Sequence, residues 1–575
     1  MSEPAVRVED LSYTYPGRES PTLVDISFEL REASWTVLAG ATGSGKSTLL
    51  AALAGWSTRS DAEQTQGRVL LFGRDARTMT LGERAQHVGL VLQSAEDQVA
   101  TTTVEAEVTF GLENMGLPVD EIRRRATDAL RQFKLENLAA ARTNHLSGGQ
   151  MQRLVLASIL AMRPRLLLLD EPFGQLDSAA AAELMPDLDR LRAGGLTIVI
   201  AEHRLDELLP RADRVLILRD GRLSADVNTN CPERLDEAFA SSGLEAPEMV
   251  RLACGLDWRR VELPAIDRAQ KPPRPALSPN GGEGFLCHPL AVGSAISRVA
   301  TRLPNHDGQL PMDRREAPLL RASKLGFQFP SSQAPLWSDV AFELYAGERV
   351  ALVGPNGSGK STLLAVLASL LQPTWGSVHA DLPSDGRASS GLVLQNPDLM
   401  LFCSTVRDEL AFGPAQLGLS KADVERRVSQ CAAALELEGI TDEPPLGLSR
   451  GERLRVAIGA TMTLEPRLLL LDEPTTGQDP AQVEAMLRAV SEAVRQRRTA
   501  LLFATHDLRT VARHADRVLV LGNGALLAQC TPAELLDDDE LLAATRMRRP
   551  PLFEFRRRMN LRALSVEQLI AEVAR

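Results

Sequence analysis

The chain carries one phosphate-binding loop twice, and this repeat limits its possible folds more than any other feature. GATGSGKST runs from Gly40 to Thr48 and GPNGSGKST from Gly354 to Thr362, so both copies satisfy G-x-x-x-x-G-K-[ST]. An apolar stretch that reads as a strand precedes each loop, and a small-residue and leucine stretch that reads as a helix follows it. In such a unit Gly40, Gly43 and Gly45 let successive backbone N–H groups turn inward around phosphate oxygens. Gly354, Asn356, Gly357 and Gly359 do the same in the second copy. Lys46 or Lys360 adds a full positive charge at the helix start, and Ser47 or Ser361, followed by Thr48 or Thr362, offers a hydroxyl to Mg²⁺. The chain has only six lysines in 575 residues, and two of them fill this one slot, which argues against coincidence.

The repeat extends well beyond the loops. Gln93 and Gln395 each end a β-like run, LSGGQ at Leu146–Gln150 has the counterpart LSRGE at Leu448–Glu452, and LLLLDEP occurs twice. Gln93 to Ser147 and Gln395 to Ser449 are both 54 positions apart; Ser147 to Asp170 and Ser449 to Asp472 are both 23. A chain of this length exceeds a single core. Strands alternating with helices around each loop predict α/β domains in tandem.

Composition removes several alternatives. A net charge of −11 is the wrong sign for a general nucleic-acid binder. The longest apolar runs stop well short of a membrane span, and MSEPAVRVED reads as acidic with no signal peptide. Six cysteines without a C-x-x-C pair read as reduced thiols of a cytosolic protein, so any membrane-embedded part would belong to another chain.

With these residues in view, both halves resemble ABC-type ATPases; LSGGQ close before a hydrophobic strand ending in Asp-Glu is the specific signal. The resemblance implies two P-loop NTPase domains, each a RecA-like core plus a helical subdomain. The two would form an intramolecular pseudo-dimer that sandwiches two ATP molecules head to tail. A narrower resemblance follows each glutamine. QSAEDQVATTTVEAEVTFGLENMGLP and QNPDLMLFCSTVRDELAFGPAQLGLS are similar to the ATPase subunits of energy-coupling factor (ECF) transporters, including the cobalt type. There the pattern is roughly QNPD…TV-x-x-[DE]-V-AFG. LSRGE and AEHRLDE fit the same group.

This resemblance assigns expected roles. Asp170 and Asp472 would sit near Mg²⁺ together with Ser47, Ser361, Gln93 and Gln395. Glu171 and Glu473 would act as general base or water-orienting groups. His203 and His506 would contact the γ-phosphate and hold the attacking water. Ser147, Gly148, Gly149 and Gln150, and Ser449, Arg450, Gly451 and Glu452, form the two signatures, whose serines begin a helix facing phosphate. Tyr15 and Phe329, each 25 residues before the first loop glycine, would stack on adenine. Arg450 stands where the first half has Gly148, so LSRGE is expected to make the Lys46 site the slower of two.

The expected segments are an ATPase domain over 1–245, an accessory helical segment over 246–265, a linker, partly disordered, over 266–318, a second ATPase domain over 319–535 and a helical tail over 536–575. The resemblance implies an ATP-hydrolysing motor of an importer of a vitamin or metal ion. It would lie on the cytoplasmic face of the membrane, bound to ECF-type transmembrane coupling and substrate-binding proteins, with no nucleic acid. Apolar Val99, Leu399, Met400 and Phe402 would form the docking groove. The other readings are a soluble twin ATPase acting on ribosomes or nucleic acid, and the fused ATPase of a sugar or peptide importer.

Overall fold

In the computed structural model, the described residues are 3–16, 20–55, 65–173, 176, 178–256, 317–330, 332, 334–380, 388–475 and 480–573. The expected linker over 266–318 lies outside them except at 317–318, as does 257–265 of the accessory segment. The described residues form two compact units.

In the first unit, six strands make the central sheet in the order Arg222–Asn228, Arg214–Arg219, Trp35–Gly40, Thr197–Ala201, Leu166–Asp170, Val88–Val91. The pairs are parallel except for the outermost hairpin, Arg214–Arg219 with Arg222–Asn228. LLLLD and TIVIA are buried at every position, as strands covered on both faces must be. An antiparallel sheet in which Val6–Tyr13 lies between Leu23–Leu30 and Thr65–Leu71 closes one side. Leu11, Leu23, Ile26 and Leu30 on that sheet pack with Leu49, Leu50 and Leu53 of the helix Lys46–Leu53, so the phosphate-loop helix is held by the main core. Three helices, Val104–Asn114, Val119–Gln132 and Gly148–Ala161, pack together as a helical subdomain. Thr103 and Ser147 cap the first and last of these through their side-chain oxygens.

The second unit repeats this plan. Its central sheet runs Ser390–Val393, Leu468–Asp472, Ala500–Ala504, Arg349–Val353, Arg517–Gly522, Ala525–Cys530. Leu320–Phe327 lies between Trp337–Leu344 and Trp375–Ala380 in the antiparallel sheet. Its helical subdomain is Val406–Gln416, Lys421–Ala434 and Arg450–Met462. Both halves therefore show the expected α/β class.

The tail expected over 536–575 divides at Pro550. Pro532–Asp537 and Asp539–Ala544 belong to the second unit, whereas Pro551–Arg558 and Val566–Val573 belong to the first. The reason is apolar burial: Leu552, Phe553, Phe555 and Leu569 are buried, and the two helices pack on the accessory helix Glu248–Gly255. The described cysteines, Cys231, Cys254, Cys403, Cys431 and Cys530, are free thiols. Among the described residues no helix is long and apolar enough to cross a membrane.

Candidate nucleotide sites

Each phosphate loop joins the end of a buried strand to the start of a helix. Gly43 and Gly45 have φ of 80° and 100°, and Gly357 and Gly359 have 80° and 92°. Residues with side chains rarely adopt these values, which is why glycine stands at all four positions and why the pattern fixes it at Gly45 and Gly359. A Cβ on Gly40 would also meet the Leu218 carbonyl oxygen at 2.6 Å, so the loop lies against backbone. Lys46 donates from Nζ to the carbonyls of Gly40 (2.7 Å) and Ala41 (3.1 Å). Lys360 donates to those of Gly354 (2.9 Å) and Pro355 (3.4 Å). Both ammonium groups thus curl over their own loops, at the point toward which the helix N-terminus directs its positive potential.

Opposite each lysine, the Asp-Glu pair emerges from the strand. The Ser47 hydroxyl bonds Asp170, and the Ser361 hydroxyl bonds Asp472. Burial pushes Asp170 up to about 6 despite that bond, and burial raises Asp472 as well. Asp170 Oδ1 and Asp472 Oδ1 are buried with no hydrogen-bond partner among the described residues. A hydroxyl beside a carboxylate with one open oxygen is a donor set that suits hydrated Mg²⁺.

Glu171 and Glu473 have φ of 46° and 48°, a left-handed conformation that non-glycine residues seldom take. Their N–H groups donate to the Ala201 and Ala504 carbonyls, at 2.9 and 3.0 Å, which pins the strained residue to the next strand. Each carboxylate meets a histidine: Glu171 Oε1 lies 2.9 Å from His203 Nε2, and Glu473 Oε2 lies 2.9 Å from His506 Nδ1. Burial alone would raise both glutamates; the paired histidine and the nearby lysine outweigh it and hold both below the ordinary range. An ionised carboxylate only accepts, so the facing ring nitrogen carries the proton. Adjacent parallel strands explain the meeting. Residues far apart in sequence leave neighbouring strand ends on the same sheet edge, where α/β folds bind ligands.

The halves differ in detail. Both glutamines are exposed; Gln93 Nε2 donates to Glu171 Oε2 at 2.6 Å, whereas no matching bond from Gln395 to Glu473 occurs among the described residues. Lys360 Nζ stands 3.6 Å from Glu473 Oε1. Tyr15 is 40% exposed, with its hydroxyl 3.2 Å from Thr48 Oγ1, and Phe329 is 44% exposed; each packs edge-on against the aromatic two residues earlier. Each therefore leaves part of its ring open, and Tyr15 does so beside Thr48 of the first phosphate loop.

The signature serines are helix caps. Ser147 Oγ accepts the Gln150 N–H while Gln150 Oε1 accepts the Ser147 N–H, and Ser449 with Glu452 makes the same box. The N–H groups of Gly148 and Gly149, or of Arg450 and Gly451, thus open the helix. Arg450 is exposed at the first helical position.

Sequence reasoning missed three carboxylates. Glu107 accepts the Ala100 and Thr101 N–H groups (3.0 and 2.8 Å), and Glu409 those of Phe402 and Cys403 (2.9 and 2.8 Å), so each ties down the segment after its glutamine. Both occupy the [DE] of TV-x-x-[DE], so the signal was present without a role. Glu202, where the second half has Thr505, accepts the N–H groups of His203 (2.6 Å) and Arg204 (3.3 Å). Of the expected apolar groove, Leu399 (74%) and Phe402 (66%) are exposed, with Phe412 edge-on to Phe402, whereas Val99 and Met400 are half-buried.

Two phosphate loops, each sharing the edge of a parallel sheet with a Glu–His pair whose glutamate is strained, define a nucleotide-hydrolysing P-loop protein of two domains. The sequence pattern of the ABC transporter family matches residues 23–174 and 337–476. A protein of Methanosarcina acetivorans, provisionally named ABC transporter ATP-binding protein, is 34% identical over 99% of this chain and 91% of its own length. A Bacillus subtilis protein, provisionally named HMP/thiamine import ATP-binding protein YkoD, is 32% identical over 95% of each chain. Among solved structures, CbiO1 of Clostridium perfringens, described as part of the ABC transporter complex CbiONQ, is 30% identical. It covers 44% of this chain and 99% of its own, with a TM-score of 0.37. The chain belongs to the ABC transporter family and carries two of its ATPase domains in tandem.

Proposed function

We propose that this ATPase is the motor of an ECF-type importer, with two composite ATP sites between its halves. The post-glutamine motifs support this reading, and the B. subtilis relative's name refers to import of a vitamin or its precursor. The observation that carries it is the exposed apolar group Leu399, Phe402 and Phe412 in the segment after Gln395. Apolar surface of this kind is retained where a partner covers it. The occupant is a membrane-embedded coupling subunit, which makes the chain peripheral on the cytoplasmic face. Affinity purification from membranes is expected to bring down a multi-span protein with the native chain. The double substitution Leu399→Asp and Phe402→Asp is expected to release it while ATP turnover without the partner stays within about twofold, as for a surface change. Recovery of ribosomes instead would sink the transport reading.

In each site the lysine and the loop N–H groups bind the phosphates, and Ser47 with Asp170, or Ser361 with Asp472, would hold Mg²⁺, which would supply charge that neutralises the phosphates. Glu171 or Glu473 accepts a hydrogen bond from the attacking water and turns its oxygen toward phosphorus. His203 or His506 holds the γ-phosphate side. Gln93 and Gln395 report the γ-phosphate to the docking segment that follows. The signature of one half completes the pocket of the other, so LSRGE serves the Lys46 site. Arginine cannot approach phosphate as closely as glycine does. In a Glu473→Gln chain, whose residual turnover comes from the Lys46 site, Arg450→Gly is expected to raise the steady-state rate about threefold to tenfold, the scale of one improved phosphate contact. An unchanged or lower rate counts against the asymmetry.

A further inference from the structure

His203 sits on a turn that is anchored at both ends. Its N–H is taken by the buried carboxylate of Glu202, and its carbonyl accepts the Leu205 N–H at 3.1 Å. The short helix Leu205–Leu208 follows at once. In that helix Asp206, 5% exposed, accepts from Oδ1 the N–H of Met249, 2.9 Å away in the first turn of the accessory helix Glu248–Gly255. A carboxylate there satisfies an otherwise orphaned N–H and faces the positive end of the helix dipole. At the far end of the accessory helix, Gly255 lies against Ile570 of Val566–Val573, so closely that an added Cβ would come within 2.2 Å of its Cδ1. Arg251 pairs with Glu245 and with Glu567 of the same C-terminal helix. The second half is built differently. Thr505 stands in place of Glu202 and Arg509 in place of Asp206, and Asp507 caps its own helix by accepting the Arg509 N–H at 3.0 Å.

We propose that Asp206 is a positioning residue for His203: it ties the histidine turn to the accessory helix, so that the chain's own C-terminal helix, seated on that helix, sets the geometry of the Lys46 site and not of the Lys360 site. The polypeptide reaches this helix only after traversing the entire second ATPase domain. The link therefore gives the second half a covalent lead to the group that holds the γ-phosphate in the first. The inference rests on the reading of His203 as that group.

The test uses the full-length chain carrying either Glu473→Gln or Glu171→Gln, and reads kcat and KM for ATP together with thermal unfolding. In the Glu473→Gln chain Asp206→Ala lowers kcat about tenfold with KM within about twofold, the pattern of a displaced reacting group rather than lost binding. Asp206→Asn keeps an acceptor oxygen and restores most of the rate. Gly255→Leu, which pushes on Ile570, lowers kcat by a similar factor, and combining it with Asp206→Ala adds little, because both cut one link. In the Glu171→Gln chain none of these changes alters turnover. Unchanged kcat for Asp206→Ala in both chains, or equal losses in the Glu171→Gln and Glu473→Gln chains, overturns the proposal. His203→Ala separates the two layers. If it silences the Lys46 site while Asp206→Ala does not, only the link fails; if it leaves the rate intact, the role of His203 and the link fail together.

Discussion

Replacing Glu171 and Glu473 together by glutamine is expected to lower ATP turnover of the full chain about 10²- to 10⁴-fold, the usual weight of a positioned general base. Nucleotide affinity should change little. Glutamine keeps the size of the side chain and one acceptor oxygen, so contact with His203 or His506 remains possible; what disappears is the negative charge that the histidine and lysine hold in place. The φ values of 46° and 48° fix where that charge sits, and the N–H bonds to Ala201 and Ala504 are untouched by the change. Steady-state phosphate release and binding of a fluorescent ATP analogue measure the two effects separately. Turnover within a few-fold of the native chain would remove the glutamates from the mechanism. The two single variants are expected to differ, with Glu473→Gln leaving the slower residual rate, that of the Lys46 site.

Replacing Lys46 and Lys360 by alanine is expected to act on binding. Each ammonium is buried, 5% and 6% exposed, and is satisfied by two carbonyls of its own loop. Phosphate oxygens can take over those bonds with an opposite full charge, and a charge-assisted bond is worth about 1.5–3 kcal/mol, or roughly 10- to 100-fold in affinity at each site. The double variant should hold ATP too weakly to titrate at micromolar concentrations, and Lys360→Ala alone should leave one of two binding events. Calorimetry counts them. Unaltered affinity in the double variant would mean that nucleotide binds elsewhere.

Much of the site was legible in the sequence because its chemistry requires unusual backbone. Glycine at φ near 80–100° cannot be replaced cheaply, and a strand covered on both faces must be apolar throughout, so GSGKST after a strand and LLLLDE each announce a structure. The serine caps were legible for a similar reason, since S-x-x-Q and S-x-x-E are self-contained boxes. The three missed carboxylates bond to backbone N–H groups; the motif shows Glu107 and Glu409 in sequence but not which N–H groups they meet, and Glu202 carries no such mark. Gln93 and Gln395 end matching runs, yet only Gln93 touches its glutamate, because side-chain reach depends on the loop that follows and not on the strand before it.

The sequence alone determined the duplication, the α/β class and the glycines that shape each phosphate loop, because each rests on local geometry repeated at fixed spacing. Tertiary structure alone decided which histidine nitrogen meets which carboxylate, which apolar residues stay exposed, and where the last helices go. An amphipathic helix encodes that it must bury one face but not against what. The partner of Val566–Val573 is therefore fixed only when a complementary surface, Gly255 and Arg251 on the accessory helix, exists in three dimensions to receive it.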